Sequence, residues 1–410
     1  MPFPAPHTLR TLRVRTIATR ALIFVALHLH IHATQPPPTP DYFQQMLRVS
    51  EVEVEQKLEA AWQHFFEGDA DTQRLYFEVG DDMAYIADIG NQDVRSEGMS
   101  YGMMIAVMMD RREAFNALWK WAKTYMYHRE GGRAGYFAWH CDFDGNQLSE
   151  ASASDGEEWF AMALYLAAGR WGNDKGIFDY QSQADQLLHD MLHKQSPDGY
   201  LKSIIHKDEL QPVFVPHGKY AEFTDPSYHL PAFYTLWAQW APTDREIWER
   251  CAAVSRAFFH KAAHPETGLM PDYAHFDGSP RIDDNHKDFR FDAWRTLSNV
   301  ALDWAWFQAD PWQVKQTDRV LSFLLQHFDH LPNQFALDGT PLSDESSPGL
   351  YAMAATGALA TSDPELAQPF VQYLWDAPFP EGKWRYYDGL ITFLGLLQVS
   401  GRFQVTPPQH

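Results

Sequence analysis

From about Tyr42 onward, apolar residues recur at three- and four-residue spacing and strand-like alternation is scarce, so the chain reads as helical. Six segments pair an apolar face with a charged one: roughly 51–67, 112–126, 178–195, 244–264, 311–329 and 364–375. Half-exposed helices have this pattern. Six others are apolar nearly all round: roughly 97–109, 155–171, 226–241, 290–307, 348–360 and 386–400. A helix that is greasy on every side is buried. The two kinds alternate along the chain. This predicts an all-α fold, an (α/α)6 barrel of six inner and six outer helices filling a single domain over 41–410. Strict alternation also points every inner helix the same way, so their N-terminal ends gather at one mouth.

Polar residues cluster where that mouth should be. The inner segments open on Arg95, Ser96 and Glu97; on Ser154, Asp155 and Glu157; on Asp225 and Tyr228; on Arg290, Asp292 and Arg295; on Asp344 and Glu345; and on Arg385 and Asp388. Helix capping accounts for part of this, because Ser and Asp favour helix starts. Ser154 and Glu157 have capping-box spacing. Asp225-Pro226 fits an N-cap followed by Pro at the first helical position, so Asp225 is read as structural. Pro231 should shift or bend the start of the third inner helix. Capping does not explain the aromatic company of Trp139, Tyr228, Trp294, Trp384, Tyr386 and Tyr387, although Trp294 also suits core packing.

Rings and carboxylates together suit a sugar. Pyranose faces stack on rings, and glycosidic cleavage needs one protonated carboxyl and one ionised carboxylate, their pKa values driven apart by environment. Glu97, flanked by Gly98, Met99 and Tyr101, is the candidate acid, since apolar company raises a carboxyl pKa. Asp292, with Arg290 and Arg295 close in sequence, is the candidate base.

Charge narrows the partners. The chain has 410 residues, with 33 Lys plus Arg against 54 Asp plus Glu, a net charge of −21. That argues against a nucleic-acid binder, which needs clustered cations. Cys141 and Cys251 cannot make a disulfide framework, and two buried free thiols are expected. His128, His140 and Cys141 raise the alternative of a zinc enzyme, but no His-Glu-x-x-His or paired Cys-x-x-Cys spacing accompanies them. His140 is instead expected to hydrogen-bond behind Trp139. Residues 1–40 form a separate extension, with Arg10, Arg13, Arg15 and Arg20, no acid, a short apolar run at 21–27 and four prolines near its end. It is read as signal-like, with export following, as an unstructured tail on a cytoplasmic protein, or as the result of a start codon called too early. No later stretch reaches the ~18–20 apolar residues of a membrane span. A monomer without a cofactor is expected.

The stretch from Ala153 through Ser154, Asp155, Gly156, Glu157, Glu158 and Trp159 to Trp171 resembles the signature of glycoside hydrolase family 8, which usually has Asp where this chain has Glu157. Asp93 to Met103 resembles the family's general-acid region. The motifs around Tyr136-Phe137-Ala138-Trp139-His140, Asp225-Pro226-Ser227-Tyr228-His229 and Phe291-Asp292-Ala293-Trp294-Arg295 are similar to the branch of reducing-end xylose-releasing exo-oligoxylanases. The resemblance covers about 42–402. It implies an (α/α)6 barrel, an inverting mechanism without a cofactor, and a xylo-oligosaccharide substrate. By position it makes Glu97 the general acid and Asp292 the general base. Asp155 matches a sugar-binding carboxylate at the −1 subsite, Tyr228 a residue holding the attacking water, and Trp139 a stacking residue. Arg295 would orient Asp292. The chain departs from the exo-acting branch in one loop, 341–349, which has no histidine. Endo action on xylan, cellulose or chitosan is the alternative within the family, and a non-catalytic sugar-binding barrel the alternative outside it.

Overall fold

A computed structural model describes residues 35–196, 198–282 and 285–409. Residues 1–34, which carry most of the N-terminal extension, lie outside the described residues. Twelve α-helices alternate in the described chain. The outer set is α1 (Glu51–Trp62), α3 (Arg112–Trp121), α5 (Tyr180–His193), α7 (Arg245–Ala262), α9 (Trp312–Leu325) and α11 (Pro364–Asp376). The inner set is α2 (Ser96–Met108), α4 (Ser154–Trp171), α6 (Pro231–Trp240), α8 (Arg295–Phe307), α10 (Pro348–Ala355) and α12 (Arg385–Val399).

Each outer helix packs on an inner one, and the inner helices close a ring. The run from α6 through α8, α10 and α12 to α2 and α4 is continuous. Trp159 of α4 meets Phe233 of α6 edge-on at 5.1 Å, and the Tyr234 hydroxyl bonds the Glu158 carboxyl, joining the last pair. In α2 every residue from Gly98 to Met108 is buried, whereas in α3 burial follows one stripe through Phe115, Leu118 and Trp119. That contrast is the sequence pattern made physical. Among the described residues no helix is long and apolar enough to cross a membrane.

Local chemistry corrects some details. Pro231 opens α6 at its first turn, five residues after the predicted start, and Pro226–Tyr228 forms a separate 3-10 turn. Asp225 caps that turn, its Oδ1 accepting from Ser227 N at 2.7 Å. The expected capping box at Ser154 and Glu157 does not form. Ser154 is already inside α4, and the Glu157 carboxyl accepts instead from Phe137 N at 3.0 Å. A capping box does form at Ser50 and Glu53, opening α1. Arg385, grouped above with the mouth residues, is buried and donates to the carbonyls of Ala70, Asp71, Arg74 and Gly382, so it pins a loop.

Periodicity does not predict the small antiparallel sheet of β1 (Tyr76–Val79), β2 (Met83–Asp88), β3 (Asp93–Arg95), β4 (His140–Cys141) and β5 (Gln147–Ser149). It has a positional consequence. Strand β3 runs directly into α2, Arg95 pairs with His140, and Ser96 N donates to Trp139 O at 2.9 Å. The sheet thereby fixes Trp139 beside Glu97. Both cysteines are free and buried, and burial pushes each thiol up to about 12.

Candidate active site

Four inner-helix starts converge on Arg295. Its guanidinium sits at the first residue of α8, is 5% exposed, and donates from Nη1 to Glu97 Oε2 at 3.0 Å and to Asp155 Oδ2 at 3.2 Å. The same nitrogen bonds the Tyr101 hydroxyl. Nη2 donates to Ser227 Oγ at 2.9 Å and lies 3.1 Å from Asp292 Oδ1. One planar cation therefore ties α2, α4, the turn before α6, and the 3-10 turn Phe291–Trp294 that precedes α8. A guanidinium suits this task because its donors fan out in a fixed fork.

Glu97 stands in the first turn of α2 with 16% of its side chain exposed. Burial raises its pKa to about 8, against the lowering pull of Arg295. The dipole at a helix N-terminus favours an anion by only ~0.3–1 kcal/mol, whereas burial can shift a carboxyl by several units. Burial prevails, and Glu97 holds a proton at neutral pH. Tyr386 of α12 donates its hydroxyl to Glu97 Oε1 at 3.0 Å. The neighbouring Gly98 makes that approach possible: a Cβ there would fall 2.5–2.6 Å from the Tyr386 ring and hydroxyl.

Asp292 faces Glu97 across the guanidinium with 28% of its side chain exposed. The two terminal nitrogens of a planar guanidinium are ~2.3 Å apart, so the nearest Glu97 and Asp292 oxygens are at most roughly 8 Å apart. Asp155 is buried, which raises its pKa; Arg295 opposes this.

A cavity of ≈470 Å³ opens over Glu97, Asp155 and Asp292. Its aromatic lining is Trp139, Phe214, Tyr220, Tyr228 and Tyr273. Phe214 stacks on Tyr228 at 6.0 Å and meets Tyr273 at 4.4 Å, forming one wall. Trp139 is half-buried, with the His140 ring parallel behind it at 3.6 Å. His140 Nδ1 in turn sits 3.3 Å from Asp93 Oδ2, where it can donate a hydrogen bond. His128 bonds the Glu150 carbonyl instead. Neither histidine, nor Cys141, belongs to either group of potential metal ligands found among the described residues. Trp294 is core, buried and donating to Asn333 O at 3.2 Å.

All six residues singled out from sequence (Glu97, Asp292, Asp155, Tyr228, Trp139 and Arg295) therefore meet at one place. Sequence reasoning missed Phe214, Tyr220 and Tyr273, which lie in the long connections either side of the α6–α7 hairpin. It also missed Asp272, which joins Asp225 and Asp292 in a tight carboxyl group. No helical period marks these positions.

The comparisons agree with this geometry. A sequence model described as Glycosyl hydrolases family 8 matches residues 85–401. The reducing-end xylose-releasing exo-oligoxylanase Rex8A of Paenibacillus barcinonensis is 45% identical over 361 residues, 87% of this chain and 93% of that protein. A reducing end xylose-releasing exo-oligoxylanase of Halalkalibacterium halodurans is 40% identical over 88% of this chain and 92% of its own. A crystal structure of a GH8 xylobiose complex from Teredinibacter turnerae superposes with a TM-score of 0.87 at 41% identity, covering 90% of this chain and 98% of the other. A barrel whose inner-helix starts bring a protonated carboxyl and a second carboxylate together beneath an aromatic cleft is thus matched by fold and by sequence, and the chain belongs to the glycosyl hydrolases of family 8.

Proposed function

We propose that the protein is an inverting hydrolase of β-1,4-linked xylo-oligosaccharides that releases xylose from the reducing end. The observation that carries the reading is the pairing of a protonated Glu97 with Asp292 across Arg295. Glu97 gives its proton to the glycosidic oxygen as the bond to the anomeric carbon breaks. Asp292 takes a proton from a water that attacks the same carbon from the opposite face. Inverting enzymes hold the two carboxyls about 6.5–9.5 Å apart to admit that water, and the bound of roughly 8 Å set by the shared guanidinium is compatible with this. Tyr228, which lines the same cavity as Asp292, holds the water. Asp155 receives the hydroxyls of the sugar at the −1 subsite, Trp139 offers a ring beside it, and Arg295 orients Asp292. The xylan-related substrate rests on the names of the relatives and on the xylobiose complex of the T. turnerae protein.

A second reading, endo action on longer chains, is favoured by one observation. The loop 341–349 has no histidine and leaves Leu342 exposed. It packs beside the site, because Asn333, which accepts from Trp294, is bonded to Glu345 and Ser347.

Xylotriose hydrolysis followed by proton NMR tests both. Xylose plus xylobiose, with the new reducing end appearing first as the α-anomer and no attack on polymer, is the expected result. An initial β-anomer would refute inversion. Rapid loss of xylan viscosity would establish the endo reading.

A further inference from the structure

Two further carboxyl groups, Asp225 and Asp272, crowd Asp292. One oxygen each from Asp225, Asp272 and Asp292 lies within 4.8 Å of the others. Asp225 is fully buried and Asp272 is 1% exposed. Capping uses only Asp225 Oδ1, and its Oδ2 is buried with no hydrogen-bond partner among the described residues. Asp272 Oδ2 meets His286 Nδ1 at 2.5 Å, a contact that requires a proton between them.

Three like charges cannot share so small a buried volume. The groups that face Asp292 are Glu97 from α2, Asp155 from α4, Asp225 and Tyr228 from the turn before α6, Asp272, Arg295, and Tyr387 from α12; His286 and Arg290 act on Asp272. The cation nearest to Asp292 is Arg295, already shared among Glu97, Asp155 and Asp292. Arg290 is spent on Asp288 at 2.8 Å. His286 answers Asp272. Asp225 is left without a cation of its own.

We propose that Asp225 is a positioning residue for the base: it stays protonated and, with Asp292 inside the same 4.8 Å group, turns its unpartnered oxygen to Asp292 as a hydroxyl donor when the base is charged, leaving Asp292 as the proton-accepting member of the trio. Burial, with Asp292 and Asp272 adding to it, holds the Asp225 carboxyl well above the usual carboxylate range. Its backbone-capping duty and its proton are separate uses of two oxygens. The proposal rests on the reading of Asp292 as base.

The test combines infrared spectroscopy with the pH dependence of kcat/KM on xylotriose, whose acidic limb reports the free enzyme's base. Wild type at pH 8 should show a protonated-carboxyl C=O band that D225N lacks. D225A removes a donor to the charged base, so its acidic limb should move up, with kcat/KM at the foot of the limb falling about three- to tenfold relative to its own plateau. D225N keeps a donor at the same place and should return the limb to the wild-type position. A limb that moves down in both variants would show that Asp225 is ionised, and no movement in either would reduce it to a cap. Either result overturns the proposal. If D225A does not fold, the infrared difference between wild type and D225N decides alone. D292N is the control: turnover that survives it would sink the base assignment itself, independently of the Asp225 band.

Discussion

Tyr386→Phe isolates one hydrogen bond to the acid. The Tyr386 hydroxyl donates to Glu97 Oε1 at 3.0 Å, and the ring is 4% exposed, so the phenylalanine ring fits the same space and admits little solvent. A donor bonded to an ionised acceptor is worth ~1.5–3 kcal/mol, against ~0.5–1.5 for a neutral one. The difference, about 1 kcal/mol, is the preference of this bond for the charged form of Glu97. Losing it makes the proton harder to remove by a little under one pKa unit, at 1.36 kcal/mol per unit. Glu97 already titrates at about 8, so the basic limb of kcat/KM should move up by about 0.5–1 pH unit. Activity would extend to more alkaline pH, while kcat on the plateau falls less than about tenfold because the acid becomes weaker. Gly98→Ala reaches the same bond by another route, since its Cβ would press on the Tyr386 ring, and should move the limb the same way. Initial rates on xylotriose across the alkaline range read both. A limb that stays put or moves down in Tyr386→Phe would refute the claim that this hydroxyl favours the ionised acid.

Three further outcomes follow from the same contacts. Glu97→Ala and Asp292→Ala should each lose at least ~10²-fold in kcat while keeping the wild-type circular dichroism; lost helicity would mark them as structural. Arg295→Met leaves Glu97, Asp155 and Asp292 without their shared cation and should cost about 3–5 kcal/mol in urea unfolding; a loss under ~1 kcal/mol would show that the carboxyls take up protons without strain. Glu158 is buried against the Tyr234 hydroxyl, and burial holds its pKa well above the ordinary value. Its folded form therefore holds a proton that the unfolded chain has released, and the stability this gives is full below the unfolded value near 4.5 and drains away as pH rises toward the folded one. Thermal melts should fall as pH rises above about 4.5 in wild type and fall less in Glu158→Gln; equal slopes would place the loss elsewhere.

The barrel was legible because its signal is long. Residues such as Met103 to Met108 are apolar on every side over several turns, and no other environment accepts that. The strands that place Trp139 were not, because β4 has two residues and β3 three, too few to show an alternation. The capping box at Ser154 failed for a tertiary reason: Phe137 N, from a distant loop, claims the Glu157 carboxyl. The same holds at the site. Glu97 and Asp292 could be read from their neighbours in sequence, but Asp272 becomes relevant only when the connection before α8 folds back onto Asp225, and Phe214 only when its loop lies across Tyr228.

The reach of the arginine does not by itself separate acid from base here. Arg295 meets Glu97 at 3.0 Å and Asp292 at 3.1 Å. The remaining surroundings differ. Glu97 is packed among the apolar first turns of α2 with 16% of its side chain exposed, and its second oxygen is taken by Tyr386. Asp292 keeps 28% exposure on a 3-10 turn, where Phe291 adopts a left-handed φ of 42° before the chain enters α8. That strained turn, which costs of order 1–3 kcal/mol for a bulky residue, keeps Asp292 at the cavity rather than on the buried wall of the helix. On this view a lysine at 295 would preserve the charge yet lose the fork that spaces the two carboxyls. Arg295→Lys should then fold almost as well as wild type but turn over far more slowly, with KM changed less than kcat. Equal losses in stability and turnover would instead make the guanidinium a structural clamp.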